Sequence, residues 1–484
     1  MKAGLRKHRF ADQSHLFNGD LPGRNFPIMA RKTSRALAAT VFCAICALAI
    51  LIACGGGGSH SSPPGPSSPG PPPPVSFSKI KHVVVIVQEN RTPDNLFQGL
   101  PNADIASSGI DSAGATVPLT QIPLAHGYDI SHNHAAFVAM YDNGKMDGAD
   151  KEPHGCNVHT GQCPPHPQFV YVNPADVVPY FQLAERYTFG DRMFQTQQGP
   201  SFPAHQFLIS GTSAPTATSN LFASENPTVP AGVGVFYGCT SAPGTYVNLI
   251  DPSGNESQTM FPCFEHPTLT DELDAANVDW RYYTPGASGI WNGPNAIQHI
   301  RMGADWASHV VLVNSRVLTD IAQQKLPPVS WVIPGGAASD HPVANDGSGP
   351  SWVASIVNAI GNSPYWADTA IIITWDDWGG FYDHVAPSIY NSYEYGFRVP
   401  LIVVSPYAKP AYVSHITHDF GSILKMIEEV YGLPTLNYAD ARADDLSDCF
   451  DFSQAPLAFQ PVPSHYDAAY FLHDTRPPLP PDTD

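Results

Sequence analysis

Three stretches of this chain, two of them directly behind runs of apolar residues, carry side chains capable of chemistry, and its histidines add a further signal. The first is Gln88-Glu89-Asn90-Arg91-Thr92-Pro93-Asp94-Asn95, following Val83 to Val87. A carboxylate and an amide at that point supply hard oxygen ligands for a cation or a partner for a phosphate. The same residues also make an ordinary turn with Asx capping. The second is Asp376-Asp377-Trp378-Gly379-Gly380-Phe381-Tyr382-Asp383-His384, behind Ile371 to Thr374. Adjacent carboxylates repel each other unless a cation or proton intervenes, and His384 adds a nitrogen ligand or an acid. The third, Gly199-Pro200-Ser201-Phe202-Pro203, opens an amphipathic run, so Ser201 stands at the positive end of a helix dipole. There its hydroxyl is either a nucleophile, with its oxyanion and phosphate ester favoured, or an N-cap. The last signal is histidine: 20 in the chain, several beside Asp or Ser in tight phrases such as Ser131-His132, Asp340-His341-Pro342 and His415-Ile416-Thr417-His418-Asp419.

Positioning such groups calls for a sheet. The β-branched apolar runs His82 to Val87, Val278 to Tyr283, Val329 to Ile333, Ala370 to Thr374 and Pro400 to Val404 read as buried parallel strands. Helical patterns lie between and after them at Leu269 to Ala276, Ser351 to Ile360 and Asp419 to Tyr431. A layered α/β/α sandwich with a mostly parallel central sheet is expected, with its chemistry at the carboxyl ends of the strands.

Taken together, the phrases resemble the bacterial phosphoesterase family of acid phosphatases and phospholipases C, in the alkaline-phosphatase-like superfamily. The resemblance spans about Lys79 to Leu433. It rests on Glu89-Asn90-Arg91-Thr92-Pro93-Asp94 with Phe97, Ser131-His132 with Asn143-Gly144-Lys145-Met146-Asp147, Ser201 after Gly-Pro, Asp340-His341-Pro342, Trp375 through Val385, and Gly396 through Pro406. Six phrases in the family's order make the likeness specific. It implies a divalent metal held by Glu89, Asn90, Asp376, Asp377 and the Ser201 hydroxyl. It further implies Ser201 as nucleophile, and His132, His341 and His384 at the phosphoryl group or leaving oxygen. Two departures stand out: Pro93 replaces an aromatic residue, and Asp377 stands where many members carry Glu. The substrate implied is a phosphate ester, as for an acid phosphatase, or a phospholipid, as for a phospholipase C. From another class, a lipoprotein that binds anions without turnover is the competing reading.

The 484 residues include 24 basic and 43 acidic ones, a net charge of −19. Beyond residue 54 the balance is 16 against 41, or −25, which disfavours nucleic acid as a partner. From Met29, itself a candidate start, a basic segment precedes the apolar run Ala36 to Ala53 and the sequence Leu51-Ile52-Ala53-Cys54. Residues 1–54 thus read as an export signal whose end resembles a lipobox, with lipid on Cys54 and a place in the cell envelope; a plain membrane anchor is the rival reading. Residues 55–76, rich in Gly, Ser and Pro, read as a tether, and 77–484 as one phosphoesterase domain. By loop length, Cys156 pairs with Cys163 and Cys239 with Cys263, while zinc on Cys156, His159 and Cys163 is the alternative.

Overall fold

His82–Gln88 carries five consecutive β-branched residues, all fully buried, a composition that suits a strand covered on both faces. A computed structural model of the chain describes residues 76–476 and places this strand, β1, near the middle of an eight-stranded sheet. The signal segment, Cys54 and the tether up to residue 75 lie outside the described residues. The other strands, in chain order, are β2 (Thr188–Gly190), β3 (Trp280–Tyr283), β4 (Val310–Val311), β5 (Val329–Val332), β6 (Thr369–Trp375), β7 (Leu401–Val404) and β8 (Tyr412–Ser414). Across the sheet they run β4-β3-β5-β1-β6-β7-β2-β8. β1 is flanked by β5 and β6, both parallel to it, with Val83 opposite Val329 and Ala370.

One expected direction is corrected. The run ending at Val404 forms a strand, but β7 lies antiparallel to both of its neighbours, β6 and β2. Its connection from β6, residues 376–400, contains no helix to carry the chain back to the far end of the sheet. A parallel neighbour needs such a crossover; without it the chain re-enters the sheet from the end at which it left.

Helices complete the α/β class: α1 (Val178–Arg186), α2 (Ser201–Ser210), α3 (Leu269–Ala275), α4 (Gly349–Gly361) and α5 (Phe420–Tyr431). α1 packs with α4, and α2 with α5. Their ends are specified locally. Thr268 and Asp271 form a capping box on α3, Asp419 and Ser422 do so on α5, and α5 stops at Gly432 in the left-handed region. α2 is buried along all ten residues, as a helix central to the core would be, and Pro200 stands just before Ser201 in its first turn. The described residues fall within one compact unit. Cys156–Cys163 and Cys239–Cys263 are both disulfide-bonded, which leaves the zinc alternative without its thiolates, and Cys449 is a buried thiol.

Candidate active site

The carboxyl ends of β1 and β6 are adjacent, and each leads straight into an acidic turn. The two turns are tied by backbone: Asp376 N–H donates to the Gln88 carbonyl at 3.0 Å, and Arg91 N–H to the Asp377 carbonyl at 3.0 Å. Asn90, held at φ 62, gives its N–H to Asp376 Oδ1 at 3.0 Å, and the same oxygen accepts Asp377 N–H at 2.8 Å. Side chains quoted from phrases 286 residues apart are thereby locked into one fully buried group.

α2 brings in two more. Ser201 Oγ donates to Asp377 Oδ2 at 3.2 Å, while Asp377 Oδ1 accepts Gly379 N–H at 2.8 Å. One turn along the same helix, His205 sets Nε2 3.3 Å from Glu89 Oε1 and 3.7 Å from Asp376 Oδ2. The sequence reading passed over His205 as a site residue, although positions i and i+4 share a helix face and that spacing from Ser201 was legible.

The protonation of His205 follows from its other contact. Tyr282 gives its hydroxyl proton to the Trp291 carbonyl at 2.9 Å, so its oxygen accepts from His205 Nδ1 at 3.3 Å. Burial pulls this imidazole down to about 4 against the opposing charge of Asp376. Its contacts to the two carboxylates fall within ion-pair distance, but a neutral ring protonated on Nδ1 presents a lone pair to them. Glu89, His205 and Asp376 therefore converge three electron-pair donors within 4.8 Å of one another. His205 Nε2, Asp376 Oδ2 and Asn90 Oδ1 are buried and take part in no hydrogen bond. Such an array is costly as it stands and suits a divalent cation with oxygen and imidazole ligands.

Two other predicted histidines are placed beside this group. His132 donates from Nδ1 to the Ile130 carbonyl at 2.8 Å, so its Nε2 accepts from the Asn90 amide at 3.1 Å. That contact fixes the Asn90 side chain with Oδ1 turned away from His132. The His341 ring is 6.3 Å from that of His132 and 5.9 Å from that of Trp291, and its Nδ1 donates to the Pro342 carbonyl at 2.6 Å. Arg91, which the sequence reading quoted without a role, grips the Asp340 carbonyl through Nε and Nη2 and so anchors the His341 segment.

His384 is not brought to this group. Gly379 and Gly380, at φ 64 and 74, turn the chain away from the end of β6; a Cβ on either would run into Asn90 or Ile130. Past that turn, His384 Nδ1 meets Asp94 Oδ2 at 2.7 Å and Nε2 meets Asp104 Oδ1 at 3.0 Å. Both ring nitrogens are thus engaged, by Asp94 and Asp104, and His384 belongs with Asp94 and Asp383 to a second cluster.

With the geometry in place, the comparisons decide the family. The model of the Phosphoesterase family matches residues 80–434. The chain belongs to the Phosphoesterase family. Hydrolysis of phosphoester bonds is accordingly its reaction class. This family member is 24% identical over 453 residues to phospholipase C B of Mycobacterium tuberculosis, covering 80% of each chain. It is 25% identical to the hemolytic phospholipase C of Pseudomonas aeruginosa, covering 78% of this chain and 56% of the other. With non-specific phospholipase C6 of Arabidopsis thaliana it shares 23% identity over 80% and 75% of the two. Among solved structures, an alkaline-phosphatase-superfamily protein from Vibrio parahaemolyticus aligns over 80% of this chain and 73% of its own at 12% identity, with a TM-score of 0.35.

Proposed function

We propose that this phosphoesterase cleaves phosphodiester head groups from phospholipids, using Ser201 as nucleophile beside a divalent cation held by Glu89, Asp376, His205 and Asn90 Oδ1. The observation that carries the reading is the joining of the Ser201 hydroxyl, through Asp377, to a buried donor set that includes hydrogen-bond-free atoms. A cation there would neutralise charge on a phosphoryl oxygen and lower the pKa of the serine hydroxyl. Asp377 orients Oγ and is aligned to take its proton as the oxygen attacks phosphorus. Attack displaces the alcohol and leaves a phosphoserine, which water then hydrolyses. The departing alkoxide needs a proton. His341 is assigned that role, with Nδ1–H held by the Pro342 carbonyl so that a second proton rides on Nε2. His132 works at one remove by holding the Asn90 amide in orientation.

The printed names of the relatives favour the phospholipid over a simple phosphomonoester. Export and lipid attachment through Cys54 belong to the same proposal, and two disulfides suit an oxidising compartment. Among the described residues no helix is long and apolar enough to cross a membrane.

The test is turnover of p-nitrophenyl phosphorylcholine and p-nitrophenyl phosphate by the purified full chain, with and without chelator. Chelator-sensitive cleavage of the diester, lost in Ser201→Ala, is expected. Preference for the monoester would return the phosphatase reading, and chelator-insensitive turnover would remove the cation. Cys54→Ser should release the chain from the membrane fraction; retention there would exclude lipidation at that residue.

A further inference from the structure

Charged residues are absent from Asn226 to Ile250, 25 positions in a chain of net charge −19. Inside this stretch the six consecutive residues Ala231-Gly232-Val233-Gly234-Val235-Phe236 are all exposed, and none has a polar side chain. Val233, Val235 and Phe236 leave 42%, 54% and 51% of their surface in water. Nothing local requires such a sequence there, and six exposed residues without a polar side chain cost solubility.

The loop is held at both ends. Before it, Thr228 exchanges two backbone hydrogen bonds with Tyr246. After it, buried Tyr237 donates from N–H to Ser288 Oγ at 2.9 Å, its carbonyl accepts Asn295 Nδ2 at 2.6 Å, and Cys239 is bonded to Cys263. The segment that receives it, residues 288–295, is part of the active-site wall. Trp291 lies against His341, and Gly293 packs so closely on the His205 carbonyl that a Cβ there would come within 2.5 Å. The exposed apolar tip is thus rooted one segment from the candidate metal ligand and the candidate proton donor.

We propose that the loop Ala231–Phe236 is a docking element that inserts into the surface of a zwitterionic phospholipid layer and seats the active site over its substrate. The proposal deepens the phospholipid reading above and rests on it for the substrate class. Three features select this occupant. The exposed apolar tip is six residues long, against roughly 20–30 residues a side in a stable protein interface. Apolar side chains in a stretch of sequence without a basic residue match insertion into a layer, where hydrophobic area supplies the binding and lipid charge does not. The strongly negative remainder of the chain repels an anionic layer, so a net-neutral surface is the one on which the tip can settle.

The experiment compares the full chain with the double variant Val235→Asp/Phe236→Asp on vesicles of phosphatidylcholine and on soluble p-nitrophenyl phosphorylcholine. Turnover of the vesicles should fall at least tenfold while the soluble substrate is cleaved at the parent rate. An equal loss on both, or on neither, would overturn the proposal. A second measurement does not depend on turnover. In Phe236→Trp, phosphatidylcholine vesicles should shift the added emission to the blue, and brominated lipid should quench it relative to the parent. Because the reporter sits in the loop, the apolar segment 36–53 cannot supply that signal. No quenching, the outcome if the loop instead serves a protein, or stronger quenching by anionic vesicles, would each contradict the assignment. If neither substrate is cleaved but the added Trp emission is quenched, the substrate class is wrong and the docking element stands.

Discussion

Among the described residues, two close-set clusters combine carboxylates with a histidine, and they differ in how completely they are satisfied. Around Asp94, Asp383 and His384, the fully buried Arg398 closes every account. It gives Nε and Nη2 to the Asp383 carboxylate, Nη2 to Asp94 Oδ1 at 3.2 Å, and Nη1 to the carbonyls of Asp104 and Asp191. Asp94 also accepts His384 N–H and Ala106 N–H, and Arg192 pairs with Asp104. Around Glu89, Asp376 and His205, burial lowers the imidazole to about 4, and Asp376 Oδ2 and Asn90 Oδ1 accept no hydrogen bond. Composition does not distinguish the two, since both are acids beside a histidine behind a strand. Satisfaction does: the first cluster ties together the loops that leave β1 and β6, and the second leaves Asp376 Oδ2, Asn90 Oδ1 and His205 Nε2 without hydrogen bonds, as the proposed cation site requires.

The contrast can be broken most severely at Ser201. Ser201→Ala should lower turnover on the order of 10⁴-fold or more while unfolding stability falls by only about 1 kcal/mol for the lost hydrogen bond. Steady-state kinetics beside urea unfolding reads both, and an active Ser201→Ala variant would remove the nucleophile. On the cemented side the pattern inverts. Arg398→Met strands buried carboxylates and should cost about 3–5 kcal/mol of stability, equally with and without chelator. A near-neutral result would show that this network is not what holds the loops.

Glu89→Gln sharpens the comparison by testing charge directly. The stabilisation that added divalent metal gives the parent, about 2.7 kcal/mol at a hundredfold excess over Kd, should largely disappear. Thermal shift against metal concentration follows the change, and an undiminished metal-induced shift in the variant would remove Glu89 from the ligand set. The smallest effect concerns His384. Burial alone would lower it, but the hydrogen bond and charge of Asp94, with the charge of Asp383, raise it above its ordinary value. A raised folded-state pKa contributes stability that is complete below about 6.5 and is lost as pH rises through the folded value. His384→Gln should therefore flatten the decline in urea midpoint as pH rises from about 6.5; an unchanged slope would exclude the pair as its source.

These differences also mark what could be read in the sequence. β1, β3, β5 and β6 were legible because continuous β-branched runs need burial on both faces, and α3, α4 and α5 because their apolar residues recur with helical period. The direction of β7 was not, since an apolar run does not say from which end the chain enters. β2 and β8, three residues each, are too short to leave a pattern. Within the site, Glu89, Asn90, Asp376, Asp377 and Ser201 were singled out, and the structure brings them together. His205 was within reach by its i+4 spacing from Ser201. Arg398 stood in a quoted phrase, but nothing near it in sequence announces Asp94 or Asp383, which lie 304 and 15 positions away. Pairings over such distances are set by packing, and so the engagement of His384 by Asp94 and Asp104 is not visible in the sequence.

The central claim is that the incompletely bonded cluster, and not the completed one, holds a cation. Anomalous diffraction from crystals grown with manganese or zinc, collected at the absorption edge of the metal, tests it directly. The account predicts a peak within about 2.0–2.3 Å of Glu89, Asp376 and His205 Nε2. A peak at Asp94, Asp383 and His384 instead, or none at either cluster in turnover-competent protein, would contradict it.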